Sequence, residues 1–171
     1  MLNVEVSVDE GDWPQRDWDA LASEAAREAL RGSPHGHLVD AKVTCEISVK
    51  LSDDATVRAL NAQFRHKDKP TNVLSFPAVQ KDLLTGLANT DDGEALLGDI
   101  VLAQETCARE AAEKGVALEA HATHLIVHGA LHLVGYDHQG DAEAEEMEKL
   151  ETEILGKLGI ADPYESEERA G

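Results

Sequence analysis

The chain has 171 residues, 42% hydrophobic and 29% charged, which suits one compact domain whose core needs no disulfide or metal staple. Fifteen Lys and Arg against 34 Asp and Glu leave a formal charge of -19, which excludes a protein that coats nucleic acid through a broad basic field. The sequence also lacks the uncharged apolar run of roughly 18 residues that a membrane span requires.

The opening MLNVEVSVDEGDW has neither the basic nor the apolar region of a secretion signal, so a soluble, cytoplasmic protein is expected. Within it LNVEVSV (2–8) alternates apolar and polar residues as a half-buried strand does. From Trp13 to Arg31 the residues Trp18, Leu21, Ala22, Ala25, Ala29 and Leu30 recur at helical spacing, and GSPHGH breaks that helix. Both tryptophans are expected as core anchors. AKVTCEISVKL (41–51) predicts a second strand, and SDDATVRALNAQFR (52–65) predicts a helix with Ser52 as its N-cap. Pro70 and Pro77 bracket a short strand around Val73 and Leu74, at its ends or on a sheet edge, because proline cannot donate to a ladder.

Residues 78–97, rich in Asp, Gly and Asn, read as a long loop or hairpin, and GDIVLA (98–103) as a fourth strand. A helix from Gln104 to Lys114 stops at Gly115, another runs from Leu118 to Val134, and a last one from Asp141 to Leu158. That last helix turns Met147, Leu150, Ile154 and Leu158 inward and leaves an acidic, solvated face. Residues 162–171 are expected as an acidic, frayed tail of the same single domain. Cys45 and Cys107 make no C-x-x-C pair and are expected as reduced, buried thiols. The interspersed order predicts an α+β or α/β sandwich fold with a four-stranded, mostly mixed sheet packed with about five helices.

The chemistry concentrates in HGALHLVGYDH (128–138). His128, His132 and His138 stand at offsets of zero, four and ten with Gly135 at seven, the spacing of the metzincin signature H-E-x-x-H-x-x-G-x-x-H, but with Gly129 in place of the glutamate. Residues i and i+4 share a helix face, so His128 and His132 can serve one ion, and a left-handed turn at Gly135 brings His138 back toward them. Three imidazoles with an open fourth position describe a zincin-like catalytic site on a central helix, for zinc or for nickel or another divalent ion. His121 and His124, one and two turns earlier, are expected to pack or to support the ligands; His35, His37 and His66 show no ligand spacing.

The absent glutamate directs the reading of the reaction. In a metzincin-like protease that residue moves the proton from water to the leaving amine, and Gly129 cannot. A phosphodiester asks less, since the metal activates water and polarises a phosphoryl oxygen while a cation answers the developing charge. Although the body is acidic, RALNAQFRHKDK (58–69) carries Arg58, Arg65, Lys67 and Lys69 against Asp68 alone, and Arg65 is the candidate to fork onto two phosphate oxygens. Asp137 could orient a ligand imidazole.

Together, HGALHLVGYDH, LNAQFRHKDKPTNVLSFP (60–77) and GDI (98–100) resemble the YbeY family, bacterial metal-dependent endoribonucleases of rRNA maturation. The match is close over 56–77 and 98–138 and extends elsewhere only in layout. The resemblance implies that His128, His132 and His138 hold one zinc ion and that Arg65 is the arginine required for activity. Phe64 replaces a tyrosine common in that position, a loss of one hydroxyl. The resemblance further implies cleavage of single-stranded RNA, maturation of the 16S rRNA precursor including its 3′ end, and ribosome quality control. It also implies contacts with the ribosome and ribosome-associated factors such as the GTPase Era, with neither DNA nor a membrane as partner. Two rivals stand beside it. One is a metallopeptidase drawing its base from the 78–97 segment; the other is a non-catalytic ribosome-assembly factor whose metal is structural.

Overall fold

The computed structural model describes residues 1–9, 11, 13–65, 71–79, 94–136 and 140–160. Four strands, β1 (Leu2–Val8), β2 (Thr44–Ser52), β3 (Val73–Pro77) and β4 (Glu94–Ala103), form one sheet in the order β1-β2-β4-β3. The pairs β1–β2 and β2–β4 are parallel, whereas β3 runs antiparallel to β4 on the edge, so the sheet is mixed as expected. Five α-helices are present among the described residues: α1 (Trp18–Gly32), α2 (Asp54–Arg65), α3 (Gln104–Lys114), α4 (Leu118–Leu133) and α5 (Asp141–Lys157). None is long and apolar enough to cross a membrane.

Alternation along β1 and β2 sends Leu2, Cys45, Ile47, Val49 and Leu51 into the main core, which α1 and α4 cover. Ala22, Ala25, Ala26 and Ala29 give α1 a smooth buried face, which lets α4 lie close against it. On the opposite face α2 covers a smaller cluster of Val57, Leu74, Val101 and Ala103, with Leu60 and Phe76 at its margin. Trp13 and Trp18 meet edge to face at 5.5 Å, and their indole N–H groups donate to the carbonyls of Ser52 and Pro14, both at 2.9 Å. They are core anchors. Cys45 and Cys107 are buried free thiols, and desolvation raises both, Cys107 to about 12.

Several local expectations need correction. The first helix starts at Trp18, where the Asp17 side chain accepts from the backbone N–H of Ala20, rather than at Trp13. Ser52 is not the cap of α2; it ends β2, and Asp53 instead accepts from the N–H of Thr56 at 2.8 Å. GSPHGH does more than break α1, since Gly36–Val39 form one 3-10 turn that buries Leu38 and Val39. The fourth strand begins at Glu94, inside the segment read as a loop. There Glu46 pairs with Leu96 but Ile47 pairs with Gly98, so Leu97 is an extra, fully buried residue of a bulge. Residues 80–93 and the tail from 161 lie outside the described residues.

The N-termini of α2 and α3 clasp each other. Asp54 accepts from the N–H and hydroxyl of Thr106, while Glu105 accepts from the N–H of Asp54 at 3.0 Å. Each carboxylate thereby satisfies donors that a helix start leaves open.

Candidate active site

Helix α4 carries the histidines and is buried on nearly every side, being enclosed by the sheet, α1, α3 and α5. It ends as its sequence requires. Gly135 adopts φ 97°, its N–H donates to the carbonyl of His132 at 3.1 Å, and the N–H of Tyr136 donates to Leu131 at 3.0 Å. This pair of bonds is a Schellman closure, which reverses the chain directly after the histidine pair.

His128 and His132 come together one turn apart, with ring centroids 4.6 Å apart and planes at 77°. Their Nε2 atoms are separated by 3.1 Å. A tetrahedral zinc ion with 2.0–2.1 Å bonds spaces its nitrogen ligands by about 3.3 Å, so the two imidazoles fit a shared cation. His138 and Asp137 lie outside the described residues. Arg65 is the last residue of α2, at the end of the helix on the other face of the sheet.

Behind the pair stands a residue that the spacing of the histidines does not point to. Glu151 of α5 is 1% exposed, and its Oε1 accepts from His128 Nδ1 at 2.8 Å and from His124 Nε2 at 3.2 Å. Burial opposes ionisation of this carboxyl, yet the bonds and charges of the two imidazoles prevail and hold it down to about 2. The outer acids of that helix, among them Glu143, Glu146 and Glu153, are exposed as expected, whereas Glu151 lies on its inward side. Its buried residues are Met147, Glu151, Ile154 and Leu155, so an acid occupies a position on the inward stripe, which is the signal that could have found it.

One turn deeper, His121 Nε2 donates to Glu110 Oε1 of α3 at 2.9 Å, and the Asn72 side-chain amide donates to the same oxygen at 2.9 Å. Desolvation lowers His121, outweighing the carboxylate beside it; Glu110 also sits below its usual range, because those two donors prevail over burial. The rings of His121 and His124 touch edge to face at 6.0 Å. All four histidines of α4 thus follow one face, and neighbouring elements supply carboxylates to the inner three.

Gly129 points the other way. A methyl there would sit 3.0 to 3.1 Å from three side-chain carbons of the fully buried Ile100 on β4. The position that holds a protease's general base is pressed against the sheet, with no room for a carboxylate arm. Two residues along β4, Gly98 is wedged more tightly still: a Cβ would lie 2.4 Å from the carbonyl oxygen of Phe76 and 2.5 Å from Leu133. The bulge, the edge strand and the end of α4 therefore meet at Gly98, Phe76 and Leu133.

The model of the endoribonuclease YbeY family matches residues 9–159. An endoribonuclease YbeY from Sphingopyxis alaskensis is 62% identical over 165 residues, covering 96% of this chain and 98% of that protein. Another from Rhizorhabdus wittichii is 60% identical over 163 residues, covering 94% and 96%. A solution structure of a Thermotoga maritima protein shares the fold, with a TM-score of 0.53 over 92% of this chain and 91% of that one, at 22% identity. With its mixed sheet, its histidine helix and this likeness across nearly the full length, the chain belongs to the YbeY endoribonuclease family, hydrolases that cut RNA within the strand.

Proposed function

We propose that this chain is a single-domain, cytoplasmic, metal-dependent endoribonuclease in which His128, His132 and His138 hold one zinc ion and Arg65 binds the scissile phosphate of single-stranded RNA. The observation that carries the reading is the 3.1 Å approach of the two Nε2 atoms on a helix whose inner side is fixed by Glu151. His128 and His132, with His138, would hold the divalent cation, which would supply Lewis acidity and a water made acidic enough to act as nucleophile near neutral pH.

The chain's own residues do the rest. The Arg65 guanidinium, charged at every working pH, pairs with two phosphate oxygens and offsets the charge that builds as the phosphodiester breaks. Gly129 offers no base for amide hydrolysis, which favours the phosphodiester over the peptide bond. A net charge of -19 repels RNA over most of the surface, so a short single-stranded segment presented to one cleft suits it better than a long duplex. The 3′ end of the 16S rRNA precursor on the ribosome, in contact with a factor such as the GTPase Era, is the substrate setting we assign.

Metal content and cleavage of single-stranded RNA, measured together for wild type, His132→Ala and Arg65→Ala, test the proposal. His132→Ala should lose both, and Arg65→Ala should keep the metal and cut at least tenfold more slowly, about 1.4 kcal/mol of lost transition-state stabilisation. Wild-type protein that binds neither zinc nor nickel would overturn the metal assignment, and unchanged cleavage by Arg65→Ala would remove Arg65 from the mechanism.

A further inference from the structure

We infer that Glu151, steadied by His124, is a positioning residue that fixes His128 in the Nδ1–H tautomer and so turns its Nε2 lone pair toward the cation. The inference rests on the metal reading above and adds to it a residue from another helix. Three observations support it. Glu151 reaches His128 from behind, at the nitrogen opposite the one that faces His132. It is a buried carboxylate at 1% exposure, and such a group is tolerated only when its charge has work to do or partners to answer it. His124, also buried, donates to the same Oε1, which keeps the carboxylate in one place.

A carboxylate can only accept, so the ring nitrogen 2.8 Å from it must carry the proton. Nδ1–H leaves Nε2 unprotonated, the form in which imidazole ligates a metal. Without Glu151 the ring could protonate Nε2 instead and face the ion with a hydrogen. Because both bonds go to Oε1, glutamine at 151 can keep them through its carbonyl oxygen while removing the charge, whereas leucine removes both.

The test uses metal-free full-length protein and Zn2+ alone. Imidazole nitrogen NMR above the histidine titration range should show His128 of wild type as Nδ1–H, Glu151→Gln keeping that tautomer, and Glu151→Leu losing it. Zn2+ titration against a competing chelator should show an affinity loss of about 10-fold for Glu151→Gln and up to about 100-fold for Glu151→Leu, with melting curves confirming that both variants fold. Nε2–H at His128 in wild type overturns the inference whatever the metal does. If His128→Ala abolishes Zn2+ binding while both Glu151 variants bind as wild type, the inference fails and the metal reading survives. If His128→Ala binds Zn2+ as wild type, the metal reading fails and takes the inference with it.

Discussion

A methyl group added at position 98 should weaken the fold and disturb the end of α4 together. In Gly98→Ala the new carbon would meet the Phe76 carbonyl oxygen at 2.4 Å and Leu133 at 2.5 Å, and it must also accept φ 152°, which side chains other than glycine rarely adopt. The backbone penalty is on the order of 1–3 kcal/mol, and overpacking a closed core adds roughly 1–3 kcal/mol. A total of about 4 kcal/mol lowers the melting temperature of a domain this size by roughly 10 °C. Urea and thermal unfolding followed by circular dichroism measure it directly. Gly156→Ala is the control, since that glycine lies in α5 with nothing within 4 Å of a Cβ and should gain roughly 0.5–1 kcal/mol of helix propensity. In a Leu133→Ala background, which removes one of the two clashing groups, the Gly98→Ala penalty should shrink by about 1 kcal/mol. A Gly98→Ala protein within 0.5 kcal/mol of wild type, or a penalty unmoved by Leu133→Ala, would refute the wedge.

Three further outcomes follow from the packing and titration of the interior. Gly129→Ala gains about 1 kcal/mol in helix propensity but crowds Ile100, at roughly 1–3 kcal/mol; a net loss is expected, with partial recovery on adding Ile100→Val, measured by urea midpoints in a double-mutant cycle. His121 lies below its ordinary 6.5 and Glu110 below its ordinary 4.5, so each binds protons less readily folded than unfolded. Their stabilisation is therefore intact above pH 6.5, begins to fall as pH drops through 6.5 for His121, and falls further below 4.5 for Glu110. Urea midpoints between pH 4 and 8 should decline toward acid, the step nearest 6.5 should flatten in His121→Gln, and a midpoint that rises on acidification would contradict the assignment. Cys45 and Cys107 should resist a thiol reagent in the native protein and react once it is unfolded, because both are buried and held as thiols; a fast native reaction at either would show that the core opens there.

Much of this architecture was legible because the pattern is regular where one face is buried. Alternation marked β1 and β2, the two prolines marked the edge strand, and Gly115 and Gly135 marked helix ends that the backbone closes as expected. The beginning of β4 was not legible, since Leu96 and Leu97 are adjacent apolar residues that break a period of two, and the bulge is what accommodates them. Asp53 rather than Ser52 caps α2 because β2 runs one residue further than its apolar alternation suggests. The histidine pair was legible from spacing alone. Glu151 was hidden among so many acids that its place on the inward stripe did not stand out; only the fold reveals that α5 delivers it to the back of His128.

The contact between Gly129 and Ile100 bears on redesign. Helix α4 rides so low over the central strand that grafting a glutamate after His128 would wedge the helix upward, and the histidines mounted on its far side would move with it. A point substitution is thus a poor route from this scaffold to a peptidase. A designer would first have to hollow out the strand beneath, trading Ile100 for a smaller residue, and only then ask whether the new side chain reaches the metal's neighbourhood at all.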